Sequence, residues 1–416
     1  MTVHIVGAGL SGLAAAVALA DSGIPVAIYE AASQPGGRCR SYFDRELGRV
    51  IDNGNHLVLS GNRNVQRYLR LIGAEDRLVG PEGDGFHFCD LLKHRSFELH
   101  PNPGPLPWWI AAPARRVPET TALQYLSVLK LAVARPGASV ADVLPHDELY
   151  RVLWEPLAVS ALNTPVEQAS ARAFWRVLEK TLARGGEFAR PLIAKDNLAD
   201  TFVTPAVAFI EARGGALRLG ARIKRLSFCG QLADGLSSDN GDELWAAGDQ
   251  IIVAAPPAIA ERLVPHLDAP GADEPIVNAH FATNDPEGTP LEVVAIVGGA
   301  AQWVFRRPGL ASVTVSAARA MVDQPAEALA PRLWHDVVSA FPSLGPDMPT
   351  YRIIKEKRAT IRQSPADEAV RPGTKTGFDN LWLAGDWTRT GLPATIEGSL
   401  QSGFQAAQLA LRAGAQ

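Results

Sequence analysis

The chain has 416 residues, of which 47% are hydrophobic and 20% charged, and a net charge of −4. That length supports two or more lobes with ample core, and a mildly acidic balance without a basic patch of useful size argues against a nucleic-acid partner. Cys39, Cys89 and Cys229 show neither a CxxC pair nor a metal-ligand spacing, which argues against a metal site and for a reducing cytoplasm.

Val3 to Val6 reads as a short buried strand. Gly7-x-Gly9-x-x-Gly12 follows at once, then an Ala/Leu-rich helix to about Ser22, with Gly23 as its stop. Pro25 to Tyr29 reads as the next strand and ends in Glu30. This predicts a βαβ unit of roughly 30 residues, the context that gives a GxGxxG meaning. Gly7 permits the tight turn, Gly9 lets the backbone approach a pyrophosphate, and Gly12 lets helix and strand pack closely. Leu10 and Ser11 open the helix, whose free N–H groups and positive dipole end suit phosphates. Glu30 is placed to accept from a ribose diol and would repel a 2′-phosphate, so NADP is disfavoured. Gly36-Gly37-Arg38 suits a loop folding back over a longer dinucleotide, with Arg38 near its phosphates or flavin. That element points to FAD rather than NAD. The strand beginning at Val3 leaves no signal peptide ahead of it, and no apolar run reaches the roughly 20 residues that span a bilayer.

Residues 1–80 are thus expected to build the first part of the FAD-binding domain. Residues 81–199 read as a helix-rich insertion punctuated by prolines, a cap on the substrate side. Within it lie Pro105-Leu106-Pro107-Trp108-Trp109-Ile110, Arg115-Arg116, and the apolar positions Leu126, Leu129 and Leu131. Adjacent tryptophans, a basic pair and a helical apolar stripe suit peripheral contact with a membrane surface; a lid helix on the substrate lobe is the other reading. Residues 200–262 return to the FAD-binding domain, with strands at Leu217 to Leu219, Ala221 to Leu226 and Gln250 to Ala254. Residues 263–374 supply the second part of the substrate domain, where Leu291 to Phe305, broken by Gly298-Gly299, reads as a strand hairpin. Lys355 to Arg358 reads as a solvated face, as does Arg115-Arg116. Residues 375–416 close the FAD-binding domain. Leu381 to Ala384 is a strand with Gly385-Asp386 at its end, where Asp386 is placed to accept from a ribityl hydroxyl or to sit near the pyrophosphate. Thr395 and Ile396 begin a helix whose N-terminus suits the negative charge of a reduced flavin. Glu397 complements that dipole.

These motifs, together with Asp52-Asn53-Gly54-Asn55-His56, Trp154-Glu155-Pro156-Leu157, Ala161-Leu162-Asn163-Thr164-Pro165, Ala169-Ser170-Ala171 and Gly391 to Gly398, carry a resemblance. Over most of its length the chain resembles the flavin amine oxidase and phytoene desaturase superfamily. Within that superfamily it is similar to the squalene-associated FAD-dependent desaturases, which act as hydroxysqualene dehydroxylases in hopanoid biosynthesis. The resemblance implies an α/β protein with a glutathione-reductase-like, Rossmann-type FAD-binding domain, an α+β substrate domain and a helical cap. It also implies that Gly54, Asn55 and His56 approach the flavin and that a backbone group near Ile223 meets the adenine. Trp387 stands where a covalent-flavin cysteine would be, so the FAD is expected to be non-covalent. Packed and inert is the expected state of Cys39. The implied reaction is reduction of an allylic C30 alcohol with loss of water, which calls for an external electron donor and a general acid. His56 is the first candidate for that acid, then Asp52 and Glu397. A long-chain isoprenoid needs an apolar tunnel, and Trp108, Trp109, Trp154, Phe174, Trp175 and Trp303 all lie in the expected substrate lobe. The rival activities are polyene desaturation and amine oxidation.

Overall fold

The structure is a computed structural model describing residues 1–81, 85–239 and 241–414. Two sheets organise it. The first has five strands in the order Ala216–Arg218, Val26–Tyr29, Val3–Val6, Gln250–Val253, Leu381–Leu383, and every pair is parallel. Its central strands are short runs of Val, Ile and Ala buried on both faces, as a parallel sheet covered on both sides requires. The first helix, Leu10–Asp21, is almost wholly buried and lies against the last helix, Ile396–Gly414. The approach is backbone-close: a Cβ added at Gly403 would stand 2.2 Å from the Ser11 carbonyl oxygen. The two ends of the chain therefore form one body.

The second sheet has seven strands, in the order Tyr351–Ile361, Asp273–Ala282, Leu310–Val315, Trp303–Arg307, Glu292–Val297, Phe86–Asp90, Arg95–Leu99. Strict alternation divides its faces. Val277, Ala279, Val313 and Val304 pack outward beneath the Ala326–Ala340 helix. Phe86, Phe88, Val293, Ala295, Trp303 and Phe305 point inward, toward the helical segment between Trp109 and Ala189. The hairpin expected from Leu291 to Phe305 is present as the antiparallel pair Glu292–Val297 and Trp303–Arg307.

The helix-rich segment 81–199 also supplies strands: Phe86–Asp90 and Arg95–Leu99 form a hairpin that joins the large sheet by parallel pairing with Glu292–Val297. The alternation of Phe86 and Phe88 with His87 is the strand signal behind it. The Pro101 to Lys130 stretch, which carries the expected helical apolar stripe, is broken into short elements. It is a series of short turns, Trp108–Ala111 and Pro113–Arg115, then Ala122–Leu126 and Ser127–Val133. Five prolines from Pro101 to Pro113 remove the backbone donors a longer helix would need. Among the described residues no helix is long and apolar enough to cross a membrane.

Candidate functional site

A cavity of about 1350 Å³ runs between the two sheets. One end is lined by Gly7, Gly9, Leu10, Ser11, Glu30, Gly36, Gly37, Arg38 and Ile223, and its middle by Gly54, Asn55, His56, Gly385, Asp386, Thr395, Ile396 and Glu397. The far end is apolar, with Phe86, Phe88, Leu153, Leu157, Phe174 and Trp303. Of the cofactor and acid candidates read from the sequence, Gly12 and Asp52 lie off this lining.

The glycine end fits a dinucleotide. A Cβ at Gly9 would meet nothing within 4 Å, so the space above it is open. The helix behind it has no side-chain cap and no acidic residue in its first turn, leaving its N–H groups for an anion. Gly12 has a packing role, since a Cβ there would fall 2.0 Å from the Gly7 carbonyl oxygen. Glu30 sits at the end of the Val26–Tyr29 strand, held by the N–H groups of Ala8 and Ala32 at 2.8 Å each. Gly36, at φ +105°, folds the loop back so that its N–H donates to the Ala8 carbonyl at 2.8 Å. Arg38 then pairs with the Asp386 carboxylate at 2.8 Å and donates to the Ala359 carbonyl at 2.6 Å. These residues would hold the adenosine, pyrophosphate and ribityl parts of FAD.

Sequence reasoning missed two buried side chains that shape the flavin-side loop. Arg371 gathers the carbonyls of Asp386, Thr388 and Leu392 at 2.6–2.8 Å. Gln363 accepts from the Ala394 N–H at 2.8 Å and donates to the Leu162 carbonyl at 2.7 Å, while its N–H donates to Thr164 Oγ1. The central Leu162-Asn163-Thr164 motif is thus tied directly to the Leu392–Ala394 loop. No local pattern announces either residue.

The three acid candidates have different surroundings. Asp52 accepts from the Ser41 hydroxyl at 2.6 Å and the Leu198 N–H at 2.8 Å; burial pushes its carboxyl up against those bonds. Glu397 accepts from the Asn64 and Val65 N–H groups at 3.0 Å and from Asn64 Nδ2 at 2.7 Å. It caps the neighbouring Arg63–Leu71 helix rather than merely complementing its own, and burial raises it against those bonds. His56 has no hydrogen bond to a described residue and lines the cavity. Burial, and then the Arg38 charge, lower its pKa to about 4, so at neutral pH the imidazole is uncharged and a weak acid.

Other expectations shift too. Lys355 to Arg358 is not simply a solvated face: Glu356 and Arg358 line the cavity beside Asp273, and only Lys357 turns to an exposed partner, Asp323. Burial, opposed by Arg358 and Arg38, pushes the Asp273 carboxyl up. Of the six aromatics expected along a tunnel, Phe174 and Trp303 line it; Trp109 and Trp154 pack in the helical core around Tyr125, Trp175 lines a small separate recess with Leu131, and Trp108 is exposed. Cys39 is buried against the site with its thiol pushed up to about 12 by burial, so it stays protonated. Trp387 is buried and donates to the Ala255 carbonyl at 3.0 Å.

Residues 10–411 match the profile of the flavin containing amine oxidoreductases. The chain belongs to this family. Its cofactor is FAD, and the enzyme is an oxidoreductase. The hydroxysqualene dehydroxylase of Sinorhizobium fredii is 43% identical over 98% of both chains, and that of Rhodopseudomonas palustris is 43% identical over 99% of both. The probable zeta-carotene desaturase of Synechococcus elongatus is 25% identical over 99% of both. Among solved structures, an oxidoreductase from Methanosarcina mazei shares the fold with a TM-score of 0.73 at 16% identity, over 98% of this chain and 100% of that one. Putrescine oxidase shares it at 0.70 and 16%, over 98% of both.

Proposed function

We propose that this flavoenzyme removes the allylic hydroxyl of hydroxysqualene reductively, forming squalene and water. The observation that carries this reading is the continuity of the cavity. It leads without a wall from the glycine loop and Asp386 to a compartment of Phe86, Phe88, Leu153, Leu157, Phe174 and Trp303. An amine would find no reason for so apolar a chamber; a C30 hydrocarbon chain needs one. The full-length relatives above add that the same architecture is associated with this substrate.

The balance is simple. Bound FAD in its reduced form supplies a hydride and a proton, and is left oxidised. The carbon–oxygen bond of the alcohol breaks, the oxygen leaves as water with one proton, and a carbon–hydrogen bond replaces it. The protein's own contribution is dryness and placement. The aromatic and aliphatic walls exclude water from a carbon that becomes electron-poor, and the Trp303 face offers a π-surface to that charge. The Trp303 ring is fixed by its Nε1–H, which donates to Ser160 Oγ at 2.5 Å. The uncharged His56 imidazole is free to hold a proton donor or acceptor position at the middle of the cavity.

The reading extends to where the substrate comes from. Leu123 is 77% exposed, Val133 85% and Trp108 55%, and Leu106, Leu126 and Leu129 are exposed with them. Arg115 lies over the Trp108 ring. Arg176 lines the main cavity and also a small recess with Leu131 and Ala132, which adjoin the exposed Leu129 and Val133 in the chain. A peripheral seat on a lipid surface would let a water-insoluble chain enter without crossing solvent. Electrons would come from an external donor.

The test is anaerobic incubation of reduced holoenzyme with hydroxysqualene and mass spectrometry of the extract. Squalene appearing as the flavin reoxidises is the expected result. Flavin that stays reduced would defeat the proposal and direct attention to oxidised enzyme acting on polyenes.

A further inference from the structure

Three neighbouring strands of the large sheet place Asn278, Thr314 and Trp303 in one register row. Asn278 is paired with Thr314, and Thr314 with Trp303. The row continues through Ala295 to Phe88. Asn278, Thr314, Trp303 and Phe88 all line the cavity, so its floor changes along this row from polar to aromatic.

The polar end is built with the loop that follows Asp52. The Thr314 hydroxyl donates to Asn278 Oδ1 at 2.8 Å. Asn55 Nδ2 donates to Thr314 Oγ1 at 3.1 Å, and the Asn55 N–H to Asn278 Oδ1 at 3.4 Å. Asn55 Nδ2 also reaches the Val313 carbonyl at 3.4 Å. These bonds consume the Asn278 carbonyl and the Thr314 hydroxyl. They leave Asn278 Nδ2 and Asn55 Oδ1 without a partner among the described residues, although Asn278 is only 2% exposed. Gly54 keeps the first of these uncovered, because a Cβ there would stand 2.9 Å from Asn278 Nδ2. Both residues line the cavity, and an amide atom that opens into a largely apolar chamber is stabilised by a partner, so a ligand group with one acceptor and one donor suits the pair. An alcohol is such a group: its oxygen accepts from Asn278 Nδ2 and its O–H donates to Asn55 Oδ1.

We propose that Asn278 and Asn55, oriented by Thr314, bind the substrate's hydroxyl and so decide which end of the chain is held at the Asn55–His56 loop. This rests on the reading of the substrate as an isoprenoid alcohol. The next residue in the row, Trp303, then faces the carbons beside the hydroxyl. Both amides are neutral, which suits an uncharged alcohol. The product has lost the oxygen they hold, so the site favours substrate over product and promotes release.

The experiment is an anaerobic titration of oxidised holoenzyme, which has no electrons to turn the alcohol over. Hydroxysqualene and squalene are presented in detergent micelles and binding is followed by the flavin absorbance band. Wild type is expected to bind the alcohol about tenfold more tightly than the hydrocarbon. Asn278→Leu is expected to bring the two within about twofold of each other, with FAD content and squalene affinity unchanged. A tenfold preference retained by Asn278→Leu overturns the proposal, as does a wild type with no preference. If Asn278→Leu does not fold, the near-isosteric Thr314→Val should lower the preference several-fold, and an unchanged preference in it is again fatal. Wild type that prefers the alcohol yet forms no squalene when reduced supports the hydroxyl site while defeating the dehydroxylase reading.

Discussion

Arg38 and Asp386, near opposite ends of the chain, meet in an ion pair of 2.8 Å at the wall of the FAD cavity. The glycine loop supplies the cation and the end of the Leu381–Leu383 strand supplies the anion, so neither motif is complete alone. Asp386 is buried while Arg38 remains open to the cavity. Asp386→Ala therefore frees Arg38 and the glycine loop that carries it, and removes the carboxylate placed to accept from a ribityl hydroxyl. The purified variant is expected to carry FAD about tenfold more weakly, measured as flavin absorbance against protein after dialysis. Full retention would show the pair to be incidental to cofactor binding.

Gly9 and Gly12 belong to one motif but make opposite predictions. The space above Gly9 is open and that above Gly12 is filled by the Gly7 carbonyl. Gly9→Asp should leave the melting temperature of the apoprotein unchanged and abolish FAD binding, because it aims a carboxylate at the pyrophosphate position. Gly12→Ala should destabilise the apoprotein itself by roughly 1–3 kcal/mol, the usual cost of overpacking. Calorimetry of both apoproteins, with flavin content of both holoproteins, separates the two roles.

His280 provides a pH prediction. It is buried, with Nδ1 2.8 Å from Ser312 Oγ, and burial lowers its pKa from 6.5 to about 4. The folded chain thus prefers the neutral ring. The stability this ring contributes is full above about pH 6.5 and is lost as the pH falls toward 4. Urea unfolding of wild type should weaken by roughly 2–4 kcal/mol over that window from this group. His280→Asn should show a shallower acid slope, whatever its stability at neutral pH. An identical slope in the two proteins would mean that other groups carry the acid loss.

The exposed apolar surface can be tested without touching the core. Leu123, Leu129 and Val133 are exposed, so replacing all three by serine should alter stability by under about 0.5 kcal/mol per site. Sedimentation with vesicles containing anionic lipid should fall several-fold in the triple variant, while turnover of detergent-solubilised substrate is kept. Equal sedimentation of both proteins would count against a lipid-facing role.

The FAD half of this protein was legible because its signals are local. Gly7, Gly9, Gly12 and Glu30 act through backbone geometry within one βαβ unit, and a short-range pattern suffices to show that. Gly385, Asp386 and the helix at Ile396 are the same kind of signal. The substrate half was legible only in outline. The Phe86–Asp90 and Arg95–Leu99 strands were hidden in a segment rich in prolines and helix formers, because their partner, Glu292–Val297, lies far along the chain. Gln363 and Arg371 look like ordinary polar residues in sequence. Their importance comes from burial beside carbonyls and N–H groups of other segments.

The sequence by itself determined a glycine-bearing strand–turn–helix at each end of the chain, since glycine spacing and element order are local signals. Only the tertiary structure decided what faces the rest of the cavity. Strand register put Asn278, Thr314 and Trp303 side by side from three separate strands, and no local pattern encodes a register. It also decided that Glu397 caps a neighbouring helix, because the free N–H groups that hold it belong to residues distant in sequence.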